Sequence, residues 1–348
     1  MSVQRTIALD AMGGDYGPSV VVAGAEISLT RNPELRFVLF GDQASISKEL
    51  ETRANLKARS EIVATEKVVA MDAKPGHALR RGKGTSLWAA VEAVSDGRAD
   101  AVVSGGNTGA LMAISKMLLK PLGEIDRPAI AAIWPTVKSE CIVLDVGANI
   151  GASSEQLCDF ALMGAAMARA LFGVERQTVG LLNVGTEEIK GGDDVREAHT
   201  FLKNATDLPI DYRGFVEGDQ IGFGLVDVVV VEGFAGNIAL KTAEGTAKQV
   251  SVYLKNAMER SWLSRFGAFF AQGGFRVLKA KMDPRRINGG TFLGLNGIAI
   301  KSHGGTDALG FASAIDLGYD MCRSPLLTRM SSDVEAMHGR LRATEPAT

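Results

Sequence analysis

Cysteine is scarce in this sequence: Cys141, Cys158 and Cys322 are the only three in 348 residues. They form no CxxC pair and no even framework. That excludes a disulfide-built scaffold and a cysteine metal site, and it points to a reducing compartment, the cytosol. Charge of either sign is not in excess, since the net is −2. A near-neutral chain is a poor general binder of nucleic acid. With 46% hydrophobic residues it is also no disordered chain. No run of about 20 apolar residues occurs, so no bilayer-spanning helix is expected. Asp10 interrupts the first apolar run too early for a signal peptide.

Several catalytic signatures are missing too. GHALRRGKGT resembles a phosphate-binding Walker loop, but His77 stands where glycine is required and Gly84 where Ser or Thr should follow the lysine. No GxGxxG follows a strand, and neither GxSxG nor HExxH occurs. A serine or cysteine nucleophile therefore has no support.

What is abundant is glycine, 40 residues, where average usage of about 7% would give roughly 24. The glycines follow no fixed period. Spread through an apolar chain, they suggest tight turns and close backbone approaches. Short Val/Ile/Leu runs alternate with helical stretches. Strand-like runs are Thr6–Leu9, Arg36–Phe40, Glu61–Val69, Ala99–Val103, Ala129–Trp134, Cys141–Val146, Thr178–Asn183, Asp227–Val231 and Gly297–Ile300. Continuous apolar runs imply strands buried on both faces. The expected class is thus a three-layer α/β fold with a mostly parallel sheet and two lobes. The first lobe is taken as residues 1–125 and 303–348, the second as 126–302.

Ligands in open α/β sheets bind beyond the carboxyl ends of strands. Six loops there combine glycine with polar groups: Asp10–Asp15, Ser104–Gly109, Asp145–Asn149, Asn183–Lys190, Glu232–Asn237 and Lys301–Gly305. They are expected on one sheet edge, where backbone N–H groups and helix N-termini would face an anion. A single such loop is most simply a tight turn. Together the six offer cations (Lys190, Lys241, Lys301), neutral hydrogen-bonders (Asn107, Asn149, Asn237) and His303, a set suited to an oxyanion. Asp10, Gly13, Gly14, Ser104, Gly106, Thr108, Gly185, Thr186 and Gly236 complete the candidate anion site. A lone histidine is usually structural, but His303 follows a strand beside Lys301, and both readings stay open. His77, His199 and His338 read as ordinary.

One segment differs from the rest. Trp262, Leu263, Phe266, Phe269 and Phe270 share one helical face. Gly273 and Gly274 are expected to break that helix, and Phe275, Leu278 and Met282 form a second stripe. Residues 255–286 carry eight cations, Arg265, Arg276 and Lys279 among them, against two acids. Two core helices would explain the stripes. The charge favours an amphipathic hairpin that meets anionic lipid, or an acidic protein partner. Arg80, Arg81 and Lys83 compete for that partner.

The segments ALDAMGGD, SGGNTGAL, NVGTEEIKG, VVVEGFAGNIALKTAEG and GLNGIAIKSHG together resemble the bacterial phosphate acyltransferase family, the acyl-ACP:phosphate transacylases of phospholipid synthesis. The likeness runs from about Ile7 to Arg329. It implies a fold similar to phosphotransacetylases and isopropylmalate dehydrogenase, a homodimer, and no cofactor. It also implies a reaction: inorganic phosphate attacks a long-chain acyl-ACP thioester, giving acyl phosphate for a membrane glycerol-3-phosphate acyltransferase. Phosphate being the nucleophile, no protein nucleophile is needed. Lys190, Lys301 and the loop amides would orient phosphate, and Asn237 or His303 would stabilise the oxyanion or protonate the thiolate. The family's implied place is the cytoplasm, peripherally on the inner face of the cell membrane. A short-chain acyl-CoA phosphotransacylase, a dehydrogenase of related fold and a non-catalytic lipid scaffold are the competing readings.

Overall fold

The computed structural model describes residues 4–281, 283, 285 and 288–344. Its strands are β1 (Arg5–Asp10), β2 (Leu35–Gly41), β3 (Ser60–Ala64), β4 (Ala101–Ser104), β5 (Ala129–Pro135), β6 (Glu140–Leu144), β7 (Gln177–Leu182), β8 (Ile210–Val216), β9 (Val228–Val230), β10 (Gly290–Leu293) and β11 (Ile298–Lys301). The helices are α1 (Pro18–Arg31), α2 (Gln43–Leu50), α3 (Ala54–Lys57), α4 (Pro75–Arg81), α5 (Ser86–Ser95), α6 (Thr108–Leu119), α7 (Ser154–Phe172), α8 (Asp193–Asn204), α9 (Gly233–Glu259), α10 (Trp262–Phe270), α11 (Gln272–Lys281), α12 (Ala308–Cys322) and α13 (Leu326–Thr344). Among the described residues no helix is long and apolar enough to cross a membrane.

All eleven strands join one sheet in the order β3-β2-β1-β4-β11-β10-β5-β6-β9-β7-β8. Within β3-β2-β1-β4-β11 every pairing is parallel, and so is every pairing within β6-β9-β7-β8. Between these halves β10 runs antiparallel to both β11 and β5, and β5 antiparallel to β6. Three reversals leave the two parallel halves pointing in opposite directions. This corrects the expectation of six loops on one edge. The loops after β1, β4 and β11 lie on one edge, and those after β6, β7 and β9 on the other.

The central strands are fully buried: Ile7, Leu9, Val102, Val103, Val143 and Val228 are all 0% exposed. That follows from their uninterrupted apolar runs, covered on both faces by helices. Edge strand β8, IDYRGFV, is only partly buried. Helix α7 packs on the second half of the sheet and contacts α13. His338 of α13 is no ordinary surface histidine. Its Nε2 lies 2.7 Å from Asp159 Oδ1, and its Nδ1 lies 3.2 Å from Glu124 Oε2 and 3.4 Å from Glu155 Oε1. Burial pushes the Asp159 carboxyl up to about 6, opposed by the His338 bond. His199 is packed as well, stacked on Phe215 with Nδ1 2.8 Å from the Tyr212 hydroxyl.

Candidate functional site

Three strands end at one pole: β1 at Asp10, β4 at Ser104, β11 at Lys301, with Asp10 and Lys301 both in register with Ser104. The register brings their side chains together. Asp10 is 2% exposed. Its Oδ2 accepts from Ser104 Oγ at 2.7 Å, and Ser104 Oγ accepts from Gly106 N at 2.9 Å. Oδ1 of Asp10 is buried without a hydrogen bond among the described residues. Burial raises the Asp10 carboxyl above its ordinary range, opposed by hydroxyl and loop-amide bonds.

Glycine is required here for closeness. A Cβ at Gly13 would lie 2.5 Å from Asp10 Oδ2 and 2.8 Å from Gly106 N. At Gly14, where φ is +90°, it would meet Gly304 O at 3.0 Å. Asp15 N donates to Gly304 O at 2.9 Å, which ties the first loop to the last. Asn107 is the N-cap of α6, its Oδ1 accepting from Ala110 N at 2.8 Å, and its Nδ2 donates to Met71 O and Ala73 O. Its amide thus holds the 71–75 segment against the pole. Thr108 is the exposed first residue of α6.

Lys301 is the half-buried cation of the pole. Its Nζ donates to Gly105 O at 3.3 Å and to Ser302 O. Burial lowers its ammonium to about 8; Asp10 and Asp15 oppose that, and Lys241 adds to it. His303 is exposed at the same rim, its backbone N–H donating to Asn288 Oδ1 at 3.0 Å. Desolvation moves its imidazole below the ordinary value. Glu244 resists this, and Lys241, Lys301 and Lys248 reinforce it.

Lys241, Glu244 and Lys248 come from the other half of the sheet. Helix α9 starts on the far edge, after β9, and runs back across to this pole. Eight to eleven residues advance it about 12–16 Å, enough to cross a short strand. There Lys241 Nζ pairs with Glu244 Oε2 at 2.9 Å, and Glu244 Oε1 lies 3.7 Å from His303 Nε2. Glu244 and Asn288 escaped the sequence reading. Glu244 sits mid-helix, one turn from Lys241, and Asn288 in the Asn-Gly-Gly run before β10; those were their only signals.

The far edge holds a different arrangement. Asp145, 0% exposed, accepts five hydrogen bonds, from the N–H groups of Ile130, Gly147, Ala148 and Asn149 and from Asn149 Nδ2. Asn149 Nδ2 also donates to Pro128 O, and Asn237 Nδ2 to Val146 O. The Glu232–Asn237 stretch is not a loop but the first turn of α9, capped by Glu232. A Cβ at Gly236 would lie 1.9 Å from Asp145 O, and one at Gly233 2.2 Å from Asn149 O. These glycines and amides serve helix-to-loop packing. Lys190, Gly185 and Thr186 occupy the loop after β7 on this same edge. Lys190 and Thr186 are exposed, and Lys190 O accepts from Asn183 Nδ2 at 3.1 Å. The structure therefore brings Asp10, Gly13, Gly14, Ser104, Gly106, Asn107, Lys241, Lys301 and His303 together. It sets Asn149, Lys190, Gly185, Thr186, Gly236 and Asn237 apart from them.

Beyond the pole α9 continues into α10 and α11. Trp262 is 75% exposed and Phe270 73%, and Leu263, Phe266 and Phe269 are exposed with them. Two core helices are thus ruled out for this stripe. Arg265 and Arg276 are exposed too. The break falls at Ala271, and Gly273 and Gly274 lie in the first turn of α11. Both glycines are thus helical, at the cost in backbone entropy that glycine carries in a helix. Met282 and Arg286, and the side chains of Lys279 and Lys281, lie outside the described residues. Among the described residues no cluster of His, Cys, Asp and Glu is arranged to hold a metal.

The two opposed parallel halves define an α/β class shared with a phosphotransacetylase from Streptococcus pyogenes (TM-score 0.60, 17% identity, 92% of this chain and 94% of that one). A 4-hydroxythreonine-4-phosphate dehydrogenase from Burkholderia phymatum shares it less closely (TM-score 0.51, 15% identity, 92% and 99%). The profile of a family described as fatty acid synthesis protein matches residues 5–329. A phosphate acyltransferase from Afipia carboxidovorans is 57% identical over 343 residues, 98% of this chain and 97% of its own. The chain belongs to the phosphate acyltransferase family, and it is an acyltransferase of lipid synthesis.

Proposed function

We propose that the chain transfers a long-chain fatty acyl group from an acyl-ACP thioester to inorganic phosphate, at the pole formed by Asp10, Ser104, Lys301 and His303. The supporting observation is a partly buried lysine, Lys301, at the end of β11 and ringed by glycine loops, with a second lysine and a histidine at the rim. Lys301, Lys241 and the amides of Gly14 and Gly105 hold phosphate. A phosphate oxygen attacks the thioester carbonyl carbon, the C–S bond breaks, and the electron pair leaves on sulfur. His303, neutral at pH 7, accepts the phosphate proton and passes it to the thiolate. Asp10 keeps Lys301 charged and placed. The acyl phosphate serves glycerol-3-phosphate acylation at the membrane.

His303→Ala should lower phosphate-dependent thiol release from palmitoyl-ACP by about 10²–10⁴-fold, the usual range for a general acid–base. Thiol release near the wild-type rate would remove His303 from the chemistry. Lys190→Ala tests the other edge. A loss comparable to that of His303→Ala would place the 183–190 loop at the reacting centre, whereas an unchanged phosphate KM leaves it outside.

The α10 aromatics, with Arg265 and Arg276, suit an anionic lipid surface and peripheral attachment to the inner face of the membrane. Phe269→Glu with Phe270→Glu should abolish sedimentation with phosphatidylglycerol vesicles and leave turnover of soluble acyl-ACP within about twofold. Unchanged sedimentation would assign the tip to a protein, either the acidic carrier or a second copy in a homodimer. Arg80, Arg81 and Lys83 are exposed, and the Asn107 bonds tie their helix's entry to the pole, so they offer the carrier a second basic face. The short-chain acyl-CoA reading predicts turnover of butyryl-CoA at least equal to that of palmitoyl-ACP.

A further inference from the structure

His303 belongs to the segment Ser302–Thr306, SHGGT, and the two glycines after it leave the backbone little restraint of its own. The imidazole has few contacts to hold it. Its side chain is 57% exposed, and Glu244 Oε1 lies 3.7 Å from Nε2, beyond hydrogen-bond distance. Where the ring stands is therefore decided through its backbone. The tie of that backbone to a distant element is Asn288, just ahead of β10 and only 3% exposed.

Both donors and the acceptor of the Asn288 carboxamide are engaged. Nδ2 donates to Ser302 Oγ and to Gly310 O, each at 2.8 Å, and Oδ1 accepts the backbone N–H of His303 at 3.0 Å. The amide has one workable orientation. Turned over, it would set oxygen against the Gly310 carbonyl and nitrogen against the His303 N–H. One buried side chain thus joins the approach to β10, the end of β11 and the first turn of α12. The residues on either side of His303 are held by other bonds: Ser302 N donates to Ser104 O at 2.9 Å, and Gly304 O accepts from Asp15 N at 2.9 Å.

We propose that Asn288 is the positioning residue of His303. Its carboxamide fixes the backbone from which the imidazole reaches the reacting atoms, and it touches no substrate itself. This rests on the acid–base role given to His303 above. Without the carboxamide the His303 N–H loses its partner and the SHGGT turn can drift, and a misplacement of about 1 Å is worth about 10²-fold in rate. Lys301 stays in register with Ser104 on β4, so phosphate binding is spared.

The test is a double-mutant cycle on phosphate-dependent thiol release from palmitoyl-ACP, with thermal melting of each protein. Asn288→Ala should lower kcat by about 10–10²-fold and leave the phosphate KM within about twofold. In a His303→Ala background the same change should cost less than about twofold, because the group it places is gone. A merely structural role would slow both backgrounds by the same factor. That result, or an unchanged kcat in Asn288→Ala alone, would overturn the proposal. If Asn288→Ala does not fold, Asn288→Thr carries the same cycle, being close in volume with its hydroxyl one bond short of the His303 N–H. A wild-type rate in His303→Ala alone fails the acid–base reading of His303. A slow His303→Ala with an additive Asn288→Ala fails only the positioning role.

Discussion

Lys301→Met lowers phosphate-dependent turnover by about 10²–10³-fold, the cost of deleting one preorganised charge donor, and raises the phosphate KM. Methionine keeps the length and apolar body of the side chain, so the melting temperature should stay close to wild type. The pH profile separates a lost charge from a lost shape. Lys301 titrates at about 8, so the wild type loses this cation as pH rises through that value, and phosphate KM should climb there. Lys301→Arg keeps its charge throughout, and its KM should stay flat across the same window. Unfolding does not produce the same effect. The folded pKa lies below the ordinary lysine value of 10.5, so between about 8 and 10.5 the unfolded chain binds more protons. Stability linked to this group therefore rises with pH across that interval. A flat wild-type KM from pH 7 to 9 would overturn the role given to Lys301.

Asp145→Ala should destabilise the protein by about 4 kcal/mol, because it removes the acceptor of five hydrogen bonds, three of them buried. Asp145→Asn keeps one acceptor oxygen and should fall between. Urea midpoints measure both. The fraction that remains folded should keep the wild-type phosphate KM, since Asp145 stands on the edge opposite Lys301. A wild-type midpoint would refute the structural assignment; a specific rise in KM would place this cluster in the reacting site.

The contrast between Asp145 and Lys301 shows how far the sequence could be read. Both belong to short glycine-bearing segments after apolar strands, and both looked like anion sites. What distinguishes them is strand direction, which composition does not encode. The reversals come from β10 and the antiparallel β5–β6 pair. β10, with only GTFL, is too short to announce itself, and the equally unannounced β8 alternates polar and apolar residues at the sheet edge. The buried Val/Ile runs of β1, β4, β6, β9 and β11 were legible because both their faces are covered. Lys301 and His303 were legible because a charged residue ending such a run has no packing reason to be there. Gly233 and Gly236 were misread because a glycine that lets helix and loop touch has the same letter as one that faces a ligand. Glu244 was invisible because its role arises only when α9 crosses the sheet.

The 27-residue α9 buries only Gly233 and Gly236, both in its first turn. Its outer half has no core beneath it, and helices of about a dozen residues are marginal in water on their own. Amide hydrogen exchange should therefore be graded along one unbroken helix, slowest beside the Asp145 loop and fastest toward Glu259. The rod that carries Lys241 is firmly founded at one end and open to local melting at the other. Whatever covers the tip sets how much of it persists.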